Sequence, residues 1–122
     1  MKDIFKDVMG IDGVHGLMVI SNEGSVMMSK FSSDFRGEEE TLSQVDWKPF
    51  SIEMGNIKDA ELIYDNARFY IKKSEIGFLI VIIGDNAPIS LVRLNCEILL
   101  PELTKIQPAS KRFGKLLRKK IF

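Results

Sequence analysis

Ile11-Asp12-Gly13-Val14-His15-Gly16, then Leu17-Met18-Val19-Ile20, then Ser21-Asn22-Glu23-Gly24, then Ser25-Val26-Met27-Met28-Ser29: this stretch decides the fold. A glycine-bounded turn leads into an apolar strand, a tight polar turn and a second strand. Strands are predicted over residues 16–21 and 25–31. Asn22-Glu23-Gly24 makes the hairpin turn between them, because Gly24 can take a positive φ without a Cβ clash. His15, held between Gly13 and Gly16, reads as a solvated turn residue.

Before the hairpin, Ile4, Phe5, Val8 and Met9 fall on one helical face and predict a short first helix ended by Gly10. After it, residues 32–46 read as a loop, with three serines, Gly37 and the run Glu38-Glu39-Glu40 but little periodicity. A second helix is expected from about Asp46, which can cap it, with Pro49 tolerable in its first turn. Phe50, Met54 and Ile57 then form an i, i+4, i+7 stripe. Residues 60–65 alternate as a strand, and Asn66 turns the chain into another over 68–74, where Phe69 and Ile71 face away from Tyr70 and Lys72.

Phe78-Leu79-Ile80-Val81-Ile82-Ile83 is apolar on both faces and predicts a central strand covered on both sides. Gly84-Asp85-Asn86-Ala87-Pro88 introduces a last core helix, with Asp85 or Asn86 as its cap and Pro88 in its first turn. Val92, Cys96, Leu99, Leu103 and Ile106 keep helical spacing. Pro101 predicts a kink or an end, since it removes a ladder hydrogen bond and clashes with the preceding turn. The order is αββαβββα. This is an α+β chain with a hairpin-linked antiparallel sheet and helices on both faces.

With 122 residues the chain is long enough for one core, read as residues 1–107. Its formal net charge of zero hides a split. Of 17 Lys and Arg, seven lie beyond residue 104 with no acid among them, which leaves ten against all 17 acids in the rest. Residues 108–122 read as a separate basic amphipathic tail, capped by Ser110. Phe113, Leu116, Leu117 and Ile121 lie on one side of it, and Lys111, Arg112, Lys115, Arg118 and Lys119 on the other. Such a tail suits an anionic membrane surface or an acidic partner. A nucleic-acid partner is not expected, because the acidic body repels phosphate and no base-stacking platform is evident. The charged start Met1-Lys2-Asp3-Ile4-Phe5-Lys6-Asp7 has no signal-peptide core, and the longest apolar run is too short to span a bilayer, so a cytoplasmic location is expected.

Little here suggests chemistry. A single cysteine, Cys96, excludes an internal disulfide and a thiolate cage, and its place on an apolar helical stripe predicts inert packing. The lone histidine has no metal-binding partner. No phosphate-cradling glycine loop, GxSxG or HExxH is present. Glu38-Glu39-Glu40 reads as a solvated run. Arg68 and Arg93 fall on regular elements, where an arginine finger would need a mobile loop. No catalytic residue, metal or cofactor is therefore expected. Trp47 and Phe50, flanking Pro49, suit either an exposed aromatic anchor or core packing.

Gly13-Val14 with Gly16, the Ser21-Asn22-Glu23-Gly24 turn, and Asn86-Ala87 through Leu91-Val92-Arg93-Leu94 resemble the Roadblock (dynein light-chain) family over roughly residues 2–104. The resemblance implies a profilin-like five-stranded antiparallel sheet between helices, and a homodimer formed through the second helix and third strand. The dimer surface would then comprise Phe50, Met54, Ile57, Leu62 and Tyr64. It also implies a non-enzymatic scaffold or regulator that binds a small Ras-like GTPase. Against the family pattern, the second helix here is short, carries Pro49 and Gly55, and lacks the usual alanine-rich surface. The alternative is an adaptor that tethers a complex to a membrane or protein through the tail. A small hydrolase would need a nucleophile–base pair, which the sequence does not offer.

Overall fold

Six consecutive apolar residues can be buried on both faces only in the middle of a covered sheet, and that is where Phe78 to Ile83 lie. A computed structural model of the chain describes residues 5–63 and 68–104. Its helices are α1 (Lys6–Met9), α2 (Arg36–Ser43), α3 (Lys48–Met54) and α4 (Ile89–Thr104). Its strands are β1 (Val14–Ser21), β2 (Val26–Phe31), β3 (Asp59–Ile63), β4 (Arg68–Ser74) and β5 (Gly77–Ile83). The strands form one antiparallel sheet in the order β2-β1-β5-β4-β3, and every residue of β5 is buried.

Each sheet face has its own core. Leu17, Val19, Tyr70, Leu79, Val81 and Ile83 meet α1 and the Val92-Cys96-Leu99-Leu103 stripe of α4 on one side. Met18, Ile20, Ile71, Phe78, Ile80 and Ile82 meet Met54, Leu42, Trp47 and Phe50 on the other. The period-two alternation of β1, β4 and β5 sorts their side chains between these two layers. The hairpin turn forms as the sequence predicts, with Gly24 at φ 90°. Its amide donates to the Ser21 carbonyl at 3.0 Å, and a Cβ on Gly24 would strike the backbone of Lys48. Glycine there lets the turn pack against the start of α3.

Several expectations need correction. The stretch 32–46 is not a loop but holds a 3-10 turn at Ser33–Phe35 and then α2. Glu38 and Glu39 lie in the first turn of α2, where carboxylates are stabilised by the helix N-terminus. Leu42 alone anchors it to the core, so it shows no apolar stripe to read. The expected second helix is α3, with Pro49 in its first turn, but Trp47 rather than Asp46 takes its N-cap. Asp46 still contributes, one residue early, by accepting the Lys48 amide at 3.1 Å.

His15 is not in a turn. It lies on β1 as the extra residue of a bulge between Val14, which pairs with Ile83, and Gly16, which pairs with Ile82. Of the kink or end expected at Pro101, the end is ruled out, because α4 runs on to Thr104. Pro101 sits on the exposed side while Leu99 and Leu103 hold the helix to the core. Finally, Pro88 stands just before α4, its carbonyl accepting the Val92 amide at 3.1 Å, and Asp85 and Asn86 belong to the preceding turn.

Candidate partner-binding surface

A sheet has two edges, and an uncovered one presents a row of backbone donors and acceptors to any complementary strand. Among the described residues β3 pairs only with β4, through Asp59↔Lys72, Ala60↔Ile71, Glu61↔Tyr70, Leu62↔Phe69 and Ile63↔Arg68. Its outer edge is open. Ile63 is 70% exposed, and Leu62 is exposed as well. On α3, Ile52 is 70% exposed, and Ile57 is exposed in the link from α3 to β3. By strand alternation Leu62 lies on the sheet face of Ala60 and Phe50, and Ile63 on the opposite face.

The inner side of β3 is held by polar contacts. Arg68 donates to Glu61 at 2.5 Å and to the Asp85 carbonyl at 3.2 Å, tying the edge strand to the turn before α4. The Tyr70 hydroxyl donates to Asp59 at 3.4 Å, and the Arg93 guanidinium sits over the Tyr70 ring, 5.8 Å from its centroid. Burial, reinforced by the Asp59 charge, pushes the Tyr70 phenol up to about 12, so it remains a donor at neutral pH. These contacts fix the strand from within and leave its backbone edge free to pair.

The other face of β3 and β4 is covered only in part, because α2 packs on β2 at the far side of the sheet. A cleft of about 140 Å³ opens between Leu42, Trp47 and Phe50 on one side and Leu62, Phe69 and Ile71 on the other. It continues into a recess where His15 stacks on Phe35, the ring centroids 4.1 Å apart. The Trp47 indole donates to the Leu42 carbonyl at 2.9 Å and meets Phe50 edge-on, and Phe50 meets Phe78 edge-on. Trp47 and Phe50 are therefore half-buried packing residues that also wall this cleft.

The expected interface residues divide. Phe50 and Leu62 line the cleft, and Leu62 and Ile57 are exposed. Met54 is turned inward, 8% exposed, against the core, and so is removed from the surface. An i, i+4 stripe cannot say which of its members faces a partner and which the home core. Tyr64 and the tail residues Lys111, Arg112, Lys115, Arg118 and Lys119 lie outside the described residues. Ile52 and Ile63 are members that periodicity missed, because each stands one or two positions off the apolar stripe.

Cys96 is fully buried and its thiol is pushed up to about 12 by desolvation, as inert packing predicts. Arg68 and Arg93 lie on β4 and α4. Of the acidic run, Glu39 accepts the Ser29 hydroxyl at 2.7 Å, a strand-to-helix tie. Among the described residues no cluster of three or more His, Cys, Asp or Glu is placed to hold a metal, and no helix is long and apolar enough to cross a membrane.

Neither a protein-family model nor a curated protein sequence matches the chain. Solved structures do. The Roadblock/LC7 domain from Streptomyces avermitilis matches with a TM-score of 0.59 at 12% identity, over 82% of this chain and 90% of that one. Myxococcus xanthus MglB gives 0.60 at 16% identity, over 84% and 86%. Myxococcus xanthus MglC gives 0.58 at 13% identity, over 82% and 96%. Identities this low carry backbone architecture and not site chemistry, and on that architecture the chain has the fold of a Roadblock/LC7 domain.

Proposed function

We propose that the chain is a cytoplasmic, non-enzymatic homodimeric scaffold and regulator that binds a small Ras-like GTPase and modulates its nucleotide cycle. The observation that carries the reading is the open β3 edge, with Leu62 and Ile63 exposed on the strand and Ile57 exposed just before it. A two-fold copy covers such an edge with one self-complementary patch, joining two five-stranded sheets. Roadblock domains supply the partner class by likeness of fold. The chain's part in the cycle is to bind and order the switch loops of the GTPase, which then provides the hydrolytic chemistry itself.

The test is a pull-down from the native host in which each Ras-like protein is loaded with GDP or with a non-hydrolysable GTP analogue. Capture that depends on the nucleotide supports the proposal. A folded dimer that captures no GTPase in either state contradicts it.

A further inference from the structure

Helices α2 and α3 cover only part of their sheet face. Leu42, Trp47 and Phe50 wall a cleft whose floor includes Ile80 of β5, Ile71 of β4 and Leu62 of β3. The cleft runs out to the open edge, because Leu62 lies on the edge strand and is 36% exposed. It continues into a recess of about 490 Å³ bordered by Glu38 and Thr41 of α2.

Symmetry enlarges this cleft. A two-fold axis that pairs β3 antiparallel with its copy stands perpendicular to the sheet, so both copies keep α2 and α3 on the same face. The homodimer proposed above therefore joins the two clefts into one trough. Leu62 and Ile71 of each copy lie along its floor, and the helices of the two copies stand on either side. Neighbouring strands are about 4.8 Å apart, so the floor from one β4 across both β3 strands to the other β4 is about 14 Å wide. An α-helix with its side chains is about 10–12 Å across.

We infer that this trough takes one amphipathic helix of a partner protein, apolar where it meets the floor and basic along its flanks. The inference rests on the homodimer. An apolar groove between helices receives the apolar face of another helix. The floor is wide enough for one helix and too narrow for two side by side, whose axes alone stand about 8–10 Å apart. Charge sets the flanks. From Asp34 to Glu53, the stretch that builds each wall, there are six acids against two bases, Arg36 and Lys48. Glu38 and Glu40 are exposed, and Glu38 borders the recess. Carboxylates on both walls repel an acidic helix and attract one flanked by Lys or Arg.

Trp47 is the one tryptophan of the chain and stands in the wall, so its emission reports occupancy. The probe is a tryptophan-free peptide of about 18 residues, long enough to be helical, with leucine and lysine at amphipathic spacing. Titrated into the full-length chain, it should shift Trp47 emission and saturate at one peptide per dimer. The same peptide with glutamate in place of lysine should bind about tenfold more weakly or worse. Glu38→Lys with Glu40→Lys, both at exposed sites, should weaken the lysine peptide several-fold, and Ile63→Asp, which halves the trough, should weaken it further. Equal affinity for the two peptides, two peptides per dimer, or full affinity in either variant would overturn the inference. So would Trp47 emission that shifts with protein concentration alone at a mass above the dimer's, which assigns the trough to further copies. A shift produced only by phosphatidylcholine vesicles assigns it to a lipid surface and overturns the inference too. Light scattering on the same samples separates the two levels. A dimer whose Trp47 ignores the lysine peptide refutes the trough alone, whereas a monomer refutes the homodimer on which it rests.

Discussion

β5 and β3 are strands of one antiparallel sheet, seven and five residues long, and they solve opposite physical problems. β5 has a strand on each edge and a core on each face, so all its residues are buried and its sequence is apolar throughout. β3 has a strand on one edge only, is fastened from within by Glu61–Arg68 and Asp59–Tyr70, and leaves Leu62 and Ile63 in solvent. The first strand holds the fold together and needs nothing further. The second has, among the described residues, one unpaired edge. Under the proposed function, stability and interaction fall to different strands, and single substitutions should separate them.

The largest effect is expected at the centre. Ile80 is 3% exposed, and Ile80→Ala should cost about 2–5 kcal/mol by urea denaturation, the usual cost of emptying a close-packed core site. A loss below about half a kilocalorie would place β5 at an edge and undo the topology. Met54 and Ile52 repeat the contrast within one helix. Met54→Ala should cost about 2 kcal/mol or more, whereas Ile52→Ala should change the folding free energy by under about half a kilocalorie.

High pH should loosen the α4 side next. Tyr70 rises from 10 to about 12 and Cys96 from 9 to about 12, both chiefly through burial. Both are acids whose neutral form the fold prefers, so the folded state holds more protons than the unfolded one above about pH 9. Their contribution is complete below that pH and is lost as pH rises toward 12. Melting temperature should fall over that window, and Tyr70→Phe combined with Cys96→Ala should flatten the fall. An unchanged slope in the double variant would mean that other groups govern it.

The same contrast explains what could be read from the sequence. β5 was legible because burial on both faces leaves only one composition. The β1–β2 hairpin was legible because Asn22-Glu23-Gly24 is a turn with a mechanism. α4 was legible through Val92, Cys96, Leu99 and Leu103. What failed lies where the pattern is thin. α2 rests on the core through Leu42 alone, and its Glu38 and Glu39 stabilise a helix start that looks like a solvated loop. The His15 bulge depends on register between distant strands, which no local window contains. Ile57 and Leu62 are exposed, but the stripe that named Ile57 also named Met54, which the core keeps. Periodicity finds a face, and packing decides which neighbour it meets.

The smallest effect on folding, and the most informative, is expected at Ile63. Because it is 70% exposed, Ile63→Asp should leave the chain's own stability within about 0.5 kcal/mol while placing a carboxylate in any paired edge. Light scattering at micromolar concentration tests the central claim, that the open β3 edge is a homodimer surface. The wild-type chain should show twice its 13.9 kDa mass, and Ile63→Asp should show that mass once, with an unchanged circular dichroism spectrum. A wild-type monomer throughout that range, or an Ile63→Asp variant that remains fully dimeric, would contradict the account.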